Sequence, residues 1–307
     1  MFFTVFTPTY NRADFLPRLY SSLKNQKFTD FEWIIVDDGS TDRTEKIVAS
    51  MIEAAPFPIK FYKQSNQGKH VAINMGAEYA SGVFFFIVDS DDYLTDDSLL
   101  INAHYCRQIV SEDSFAGVAG LRGYENKKPQ IILPARRSLS YHAALRAIKK
   151  EYIDCTYYDL RNRLHVGGDR AEVVKTKILR RHKFPSFPDE NFMSEDYLWC
   201  QLAEEGYEFR WFNEVTYLGE RHDDGLVKNM KNLCLHNPKG MACVNNLISG
   251  HRAAGLSQRL RACAVYFKYS YISRKRLFES IKKSHFNKVL ALPLGTLIYL
   301  VIRVNDC

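Results

Sequence analysis

The first hundred residues alternate short apolar segments with segments of helical spacing, and this pattern constrains the fold more than any other feature. The apolar segments are residues 2–7, 33–36, 59–62 and 83–88. Between them, apolar residues recur three and four positions apart, which predicts amphipathic helices. Strands that are apolar throughout and alternate with helices are typical of a parallel sheet covered on both faces. We therefore predict an α/β fold for this part of the chain.

Two of the predicted helices have start signals. Ser40 or Thr41 can cap the helix after the second apolar segment, because a small hydroxyl side chain accepts a hydrogen bond from the first helical turn. Thr95 can cap the helix after the fourth segment. Asp96 and Asp97 would then occupy its first turn, where acids suit the positive helix end.

The regular alternation ends after Gly120. Two further helices and one strand are predicted at residues 140–150, 195–206 and 208–218. From residue 238 the pattern is helical and increasingly basic. We predict a main domain, divided into two halves, and a helical, basic C-terminal extension: residues 1–235, with halves 1–120 and 121–235, and residues 236–307.

The net charge of +7 is concentrated near the C-terminus, where residues 251–288 carry ten Lys or Arg and the single acid Glu279. A basic segment of this kind can bind an anionic membrane surface or a phosphorylated substrate, or it can be a solvated helical face. No basic motif interleaved with aromatic residues is visible, so nucleic acid is not an expected partner.

One apolar run, at residues 289–302, follows Lys282, Lys283 and Lys288. It is shorter than the ~20 residues that a membrane-spanning helix needs. An anchor on an anionic membrane surface and a helix buried in a protein core both fit this run. The seven cysteines form no C-x-x-C pair, and the start has no basic leader. We therefore expect a cytoplasmic protein, with peripheral binding to the inner face of the membrane as one option.

Polar residues follow three of the predicted strands. Ligands of open α/β sheets bind at the carboxyl ends of the strands. The segments 8–12, 37–38 and 89–92 are therefore predicted to lie along one rim of the sheet.

The acidic segment Asp89-Ser90-Asp91-Asp92 directly follows a buried strand. Carboxylates this close repel one another, and a divalent cation removes that cost. Hard oxygen ligands suit Mg²⁺ or Mn²⁺, which proteins commonly bind together with substrate phosphates. The alternative is an acidic turn that caps the next helix.

The other two rim segments offer groups that suit a nucleotide. Asp37 and Asp38 can accept the N–H of a base. In the segment that begins at Pro8, the ring of Tyr10 can stack on a base, and Arg12 can meet a phosphate. Helix capping is the structural alternative for both segments.

Residues 66–69 open the third predicted helix. Gly68 permits close backbone approach, and Lys69 offers a positive charge to a diphosphate. Asn74 lies further along this helix, as a binding residue or simply in solvent. The chain has neither G-x-G-x-x-G after its first strand nor G-x-x-x-x-G-K-[ST], which disfavours dinucleotide oxidoreductases and P-loop enzymes.

Three later residues complete the set of candidates. Glu195 and Asp196 begin a helix, and one of them can act as the general base for an acceptor hydroxyl. Acids in a first helical turn are also common for dipole reasons. His222 can complete a metal shell or contact a pyrophosphate, or it can be an exposed loop residue.

These motifs resemble those of the family 2 glycosyltransferases with the GT-A fold. T-P-T-Y-N-R is followed, in the family's order, by V-D-D-G-S-T-D, N-Q-G-K-H-V-A-I-N-M-G and V-D-S-D-D-Y-L. The similarity is dense over residues 2–100 and resumes at Gly168-Asp169 and at residues 194–199. It implies a Rossmann-like, mixed and mostly parallel sheet with flanking helices. The first half of the main domain would bind a nucleotide sugar, and the second half an acceptor.

The resemblance also implies roles for the matching residues. Tyr10 and Asp38, with Asp37, would hold the base. Lys69 would lie near the base or the diphosphate, and Asp89 would face the ribose or the sugar.

The remaining implied roles concern the metal and the reaction. Asp91 would bind the Mn²⁺ or Mg²⁺ ion that bridges the diphosphate. Asp196 would be the base of an inverting transfer from a nucleotide sugar, which we take to be a UDP-sugar. The acceptor would be a saccharide or a lipid-linked saccharide in the synthesis of a surface polysaccharide or another glycan.

One departure from the family bears on processivity. Processive members carry Q-x-x-R-W and several membrane spans, whereas here Tyr207 stands where Gln would precede Arg210 and Trp211. We therefore predict transfer of a single sugar. The alternatives are a nucleotidyltransferase, which would usually have a glycine-rich loop after its first strand, and a non-catalytic nucleotide- or carbohydrate-binding module of the same fold.

Overall fold

The computed structural model describes residues 1–126, 128–135, 138–219 and 230–273. The first part of the chain alternates strand and helix in the predicted order. Its elements are β1 (Phe3–Thr9), α1 (Leu16–Lys24), β2 (Phe31–Asp37), α2 (Thr44–Ala54), β3 (Ile59–Lys63), α3 (Lys69–Tyr79) and β4 (Phe84–Ile87).

The rest of the described chain adds five strands and several helices. The strands are β5 (Tyr93–Leu94), β6 (Phe115–Gly123), β7 (Tyr152–Cys155), β8 (Arg170–Lys175) and β9 (Glu208–Leu218). The helices are α4 (Ser98–Ile109), α5 (Leu139–Ile148), α6 (Thr176–Arg181), α7 (Asp196–Glu204), α8 (Met230–His236), α9 (Pro238–Gly250) and α10 (Leu256–Ile272), with a π-helical turn at Asp159–Arg163.

All nine described strands form one sheet, in the order β3-β2-β1-β4-β8-β6-β9-β5, and β7 pairs antiparallel with residues 209–212 of β9. Strand β1 is parallel to both β2 and β4, and β2 is parallel to β3. Strand β8 runs antiparallel to β4 and β6. The predicted fold class is confirmed: a parallel N-terminal part continues into a mixed sheet.

The core explains why the early strands are apolar throughout. Val5 packs in a cluster with Leu19 and Leu99, on the face that α1, α2 and α4 cover. Phe6 packs in a second cluster with Ile73 and Leu198, on the face that α3, α6 and α7 cover. Neighbouring residues of a strand point to opposite faces, so a sheet covered on both sides needs apolar residues at every position.

The predicted start of the second helix is wrong. Helix α2 begins at Thr44, whose backbone N–H donates to Asp42 Oδ1 over 3.0 Å. Thr41 N instead donates to Asn11 Oδ1 over 2.8 Å, and Ser40 Oγ accepts from Asn11 N over 2.8 Å. The two predicted caps therefore tie together the loops after β1 and β2.

The predicted start of the fourth helix is also wrong. Helix α4 begins at Ser98, so Asp96 and Asp97 precede its first turn. Thr95 is buried, and its hydroxyl reaches the carbonyl of Val215 in β9 over 3.4 Å. A tertiary contact therefore uses the side chain that local pattern assigned to capping.

The C-terminal part is helical where the structure describes it, as predicted. Val244 of α9 belongs to the same apolar cluster as Leu198 of α7, and Ala254 packs with Cys200 and Ala203. None of the described helices is both long and apolar enough for a membrane span. The predicted membrane anchor at residues 289–302 lies outside the described residues, and the domain boundary near residue 235 stays a prediction.

Candidate active site

A cavity of about 620 Å³ lies at the carboxyl ends of β1, β2 and β4. Its opposite wall comes from β8, the start of α7 and residues 191–194. Six of the predicted site residues line it together: Tyr10, Asp38, Lys69, Asp89, Glu195 and Asp196. The predicted convergence of the strand ends is confirmed, and the start of α7 faces them across the cavity.

Asp38 organises the turn that leads into α3. Its carboxylate accepts hydrogen bonds from the side chain of Gln64 and from the backbone N–H groups of Gln67 and Gly68, each over 2.8 Å. Asp37 is buried behind it and accepts from Ser40 N, while its Oδ2 has no hydrogen-bond partner. The pair thus fixes the loop geometry, and Asp38 still lines the cavity.

Gly68 allows this turn to approach the opposite wall. Its φ is +93°, and an added Cβ would lie 1.9 Å from the carbonyl oxygen of Asn191. Only glycine combines this backbone angle with such a close contact. The glycine therefore sets the spacing between Lys69 and the wall formed by residues 191–194.

Lys69 bridges the two sides of the cavity. Its Nζ lies 2.5 Å from Asp89 Oδ1 and 2.6 Å from Glu195 Oε1. Burial alone would lower the pKa of Lys69, but the two carboxylates outweigh it and raise the pKa. Burial would likewise raise the pKa of Asp89, but attraction to Lys69 and Arg122 lowers it. Lys69 and Asp89 are therefore both charged at neutral pH.

Asp92 is held beneath Asp89 by two partners. Arg122 Nη2 lies 2.5 Å from Asp92 Oδ2, and the Tyr217 hydroxyl donates to the same oxygen over 2.7 Å. Tyr217 also accepts from Asp89 N over 2.9 Å. Burial raises the pKa of Asp92 to about 6, although Arg122 opposes this. Asp92 therefore serves the internal network, whereas Asp89 faces the cavity.

The metal prediction is met only in part by the described residues, among which no group of three or more His, Cys, Asp or Glu is placed to hold an ion. The carboxylate of Asp91 has no hydrogen bond or ion pair there, while its carbonyl accepts from Arg18 over 2.6 Å. This donor set fits an ion that takes most ligands from substrate phosphates, and it does not fit an ion held by protein alone. His222, the other predicted ligand, lies outside the described residues.

Asp196 stands at the first position of α7 with both oxygens oriented. The Tyr157 hydroxyl donates to Oδ1 over 2.7 Å, and Ser194 Oγ donates to Oδ2 over 3.1 Å. Burial and the charge of Asp196 raise the pKa of Tyr157, so the phenol remains a donor. Unlike Glu195, Asp196 makes no ion pair with Lys69.

Several predicted site residues do not line the cavity, namely Pro8, Arg12, Asp37, Asn74, Ser90 and Asp91. Asn74 is the clearest case: its side chain donates to the Phe184 carbonyl over 2.8 Å and accepts from Phe184 N over 2.9 Å. This amide joins α3 to the loop after α6, so the structure gives Asn74 a role in packing. The guanidinium of Arg12 lies over the ring of Phe15.

Among the cavity residues that no sequence motif indicated are Arg122, Tyr157, Arg161, Arg170 and Glu172. They come from β6, β8 and the segment around the π-helical turn, where no strand or site was predicted. Burial and the charge of Glu195 raise the pKa of Glu172 to about 7. The sequence of β8, R-A-E-V-V-K, does alternate polar and apolar residues at its start, and this alternation is the pattern from which a strand could have been predicted here.

Residues 4–108 match the family model described as Glycosyl transferase family 2. Three curated relatives share part of the chain. An uncharacterized glycosyltransferase of Haemophilus influenzae is 34% identical over 96 residues, 31% of this chain and 38% of the relative. The poly(ribitol-phosphate) beta-N-acetylglucosaminyltransferase TarS of Staphylococcus aureus is 32% identical over 125 residues, 40% of this chain and 22% of the relative.

The third relative is the putative teichuronic acid biosynthesis glycosyltransferase TuaG of Bacillus subtilis. It is 31% identical over 143 residues, which are 47% of this chain and 56% of TuaG. The matches therefore span from 22% to 56% of the length of these relatives.

Two solved structures share the fold over nearly the whole chain. S. aureus TarS 1–349 in complex with UDP-GlcNAc has a TM-score of 0.62 at 18% identity and covers 96% of this chain and 79% of its own. The mannosyltransferase PcManGT of Pyrobaculum calidifontis, in complex with GDP-Man and Mn²⁺, has a TM-score of 0.55 at 17% identity. The match covers 97% of this chain and 80% of PcManGT. The family match thus covers residues 4–108, about a third of the chain, and the two solved structures show that the chain has the GT-A fold.

Proposed function

We propose that the chain transfers one sugar from a nucleoside-diphosphate sugar to a hydroxyl of a saccharide acceptor, with inversion at the sugar carbon. The observation that carries this proposal is the meeting of Asp196 and the Lys69–Asp89–Glu195 cluster in one cavity. A carboxylate with oriented oxygens then faces the strand ends where a donor would bind.

The donor would lie along the rim of β1, β2 and β4. The ring of Tyr10 is 47% exposed and free to stack on a base, and Asp38 would meet the edge of that base. Lys69 would place its positive charge near the diphosphate. The expected donor is a UDP-sugar, with uracil as its base, since the TarS neighbour was solved with UDP-GlcNAc.

A divalent cation would be held by Asp91, with Asp89, and by the donor's phosphates. Its chemistry would be to stabilise the negative charge that develops on the departing diphosphate. The Mn²⁺ complex of the mannosyltransferase neighbour supports this choice of ion.

Asp196 would remove the proton of the acceptor hydroxyl. Tyr157 and Ser194 hold its two oxygens by donating hydrogen bonds, so one lone pair of the carboxylate has a fixed direction. Attack from the face opposite the diphosphate would pass through an oxocarbenium-like transition state, by analogy with glycoside hydrolysis. Residues 1–120 would thus bind the donor and residues 121–235 the acceptor.

The acceptor would belong to a surface polysaccharide. In support, the relative TuaG is named for teichuronic acid biosynthesis, and TarS is named a poly(ribitol-phosphate) beta-N-acetylglucosaminyltransferase. A nucleotidyltransferase is the less favoured alternative, because β1 is followed by a turn with Asn11 and Arg12 instead of a glycine-rich loop.

We further propose that residues 282–302 bring the enzyme to an anionic membrane surface, which sedimentation with anionic liposomes at low salt would test.

The first test is thermal unfolding with a panel of nucleoside diphosphates, with Mn²⁺ and with chelator. A ligand at 100 times its Kd stabilises the folded state by about 2.7 kcal/mol. We expect UDP with Mn²⁺ to raise the midpoint by several degrees and chelator to reduce this shift. If no nucleotide changes the midpoint, the proposed function is wrong.

The second test addresses the base. Asp196→Asn keeps the shape of the side chain but cannot accept the acceptor's proton, so we expect kcat to fall by at least about 100-fold with UDP affinity unchanged. Asp113→Asn is the control, since Asp113 is exposed and pairs only with Lys177. Equal kcat values for the two variants would remove Asp196 as the base.

A further inference from the structure

Two arginines of the cavity wall have no ion-pair partner among the residues that the structure describes. Arg170, at the start of β8, is only 5% exposed; its Nε has no hydrogen-bond partner, and its Nη1 reaches the Phe212 carbonyl at 3.4 Å. Arg161, in the π-helical turn, donates only from Nη1, to the carbonyls of Val166 over 3.3 Å and Gly168 over 2.7 Å. Most donors of these two guanidinium groups therefore have no partner in the described chain.

Two other shielded arginines of the described chain are neutralised. Arg122 pairs with Asp92, and Arg210 pairs with Asp154 through two contacts of 2.9 and 2.8 Å. A buried charge without such a partner is costly. Burial and the neighbouring Arg161 together lower the pKa of Arg170 to about 10, so it stays positive at neutral pH.

The acids around the two arginines make no ion pair with them in the described chain, although the charge of Glu172 acts on Arg170. Glu172 follows Arg170 by two residues on β8 but forms no ion pair, and its raised pKa makes it easier to protonate than an ordinary carboxyl. Asp169 is exposed and also unpaired in the described chain, and Glu195 pairs with Lys69. Two positive charges therefore face one another with an incomplete set of counter-charges.

The position of Arg161 relates these charges to the acceptor. Its guanidinium lies over the ring of Tyr157, 5.2 Å from the ring centroid, and the hydroxyl of the same tyrosine donates to Asp196 over 2.7 Å. The arginines thus adjoin the carboxylate that would receive the acceptor's proton. The groups proposed for the base and the diphosphate, Asp38 and Asp89, lie at the strand ends across the cavity.

We propose that the acceptor carries an anionic group, a carboxylate or a phosphate, which Arg161 and Arg170 bind beside the hydroxyl that reacts. This inference rests on the proposed function, because it takes Asp196 as the mark of the acceptor side. The planar fork of a guanidinium matches both anions with two parallel hydrogen bonds. Binding would also supply the counter-charge that Arg170 lacks among the described residues.

The test compares matched neutral and anionic probes on the full chain saturated with UDP and Mn²⁺, at constant ionic strength. Calorimetric titration with glucose and glucuronate, and with ribitol and ribitol 5-phosphate, separates a carboxylate from a phosphate. Since hydrogen bonds to charged groups contribute about 1.5–3 kcal/mol, we expect at least one anion to bind about tenfold or more tightly than its neutral partner.

Arg161→Gln should abolish this preference, and Arg161→Lys should restore part of it. Arg163→Gln is the control, because Arg163 lies in the same turn but is exposed and pairs with Asp159. Arg161 is chosen over Arg170 because its side chain is less buried, and equal unfolding midpoints of the variants would show that folding is intact.

Equal binding of neutral and anionic probes to the wild-type chain would overturn the proposal, as would a preference that survives in Arg161→Gln. If Arg161→Gln instead weakens UDP binding, the arginine serves the donor's diphosphate; the inference then fails while the proposed function stands. Failure of the wild-type chain to bind UDP at all would remove both.

Discussion

At the scale of single residues, Glu172 is a cavity group whose ionisation depends on folding between acidic and neutral pH. It lies on the cavity side of β8, near the charge of Glu195. Burial and this neighbour raise its pKa from 4.5 to about 7, so the folded chain binds a proton at Glu172 more tightly than the unfolded chain does. The resulting stabilisation is complete below pH 4.5 and is lost as the pH rises to about 7.

We therefore expect Glu172→Gln, which cannot ionise, to be more stable than the wild-type chain at pH 8. The difference should be about 1–2 kcal/mol, less than the full pKa shift would give because the cavity is open to water. It should shrink toward pH 4.5. Urea unfolding of both chains at several pH values, without ligand, measures this; parallel stability curves would contradict the assigned environment of Glu172.

The site residues found from sequence share one property, which is that each belongs to a short contiguous motif. Tyr10, Asp38 and Asp89 follow predicted strands, so chain order alone predicted that they lie on one rim of the sheet. Arg170 and Glu172 lie inside a strand that runs antiparallel to β4, and they enter the site through a pairing of residues 87 to 91 positions apart in sequence. No local pattern encodes such a pairing, so these residues could be found only from the structure.

At the scale of elements, the turn before α3 sets the width of the cavity. Gly68 packs against the backbone of Asn191 with a positive φ, and both conditions exclude a side chain. We expect Gly68→Ala to destabilise the chain by at least about 1–2 kcal/mol and to weaken nucleotide binding, because the turn carrying Lys69 must move.

Gly255→Ala is the matched control for this substitution. Gly255 precedes α10 with a φ of −62°, and an added Cβ would meet nothing within 4 Å. We expect this control to change the free energy of unfolding by less than about 1 kcal/mol and to leave UDP affinity unchanged. If both variants unfold and bind alike, close approach at Gly68 does not determine the site.

The elements themselves were predicted better than their ends. Helix α2 begins at Thr44 and α4 at Ser98, whereas the side chains predicted as caps make tertiary contacts: Ser40 and Thr41 with Asn11, and Thr95 with Val215. Periodicity depends on which face is buried and is therefore visible in sequence. A helix start also depends on which neighbouring loop offers a hydrogen bond, and that follows from the fold.

At the scale of the whole molecule, the C-terminal helices hold the wall of the cavity. Glu190 accepts hydrogen bonds from the backbone N–H groups of Lys239 and Gly240, over 2.7 and 2.8 Å, at the start of α9. Asn237 Oδ1 accepts from the N–H groups of Asn191 and Phe192, over 2.8 and 3.0 Å. The boundary near residue 235 was predicted from composition, and these bonds cross it.

We expect Glu190→Ala to lower the free energy of unfolding by about 1–3 kcal/mol, because two helix-terminal N–H groups lose their acceptor. The wall at residues 191–194 would also lose its anchor, so UDP affinity should fall. Asp189→Ala is the control: Asp189 is the neighbouring acid, but it is 67% exposed and pairs only with the Lys239 side chain, so its loss should leave the free energy of unfolding nearly unchanged.

The number of unfolding transitions shows whether the main domain and residues 236–307 unfold together. A single unfolding transition for Glu190→Ala, followed by far-ultraviolet circular dichroism and by tryptophan fluorescence, would mean that α9 unfolds together with the sheet. The three tryptophans lie within the proposed main domain, so fluorescence follows that part alone. Two separated transitions would instead support residues 236–307 as an extension with its own stability, joined to the active site through Glu190.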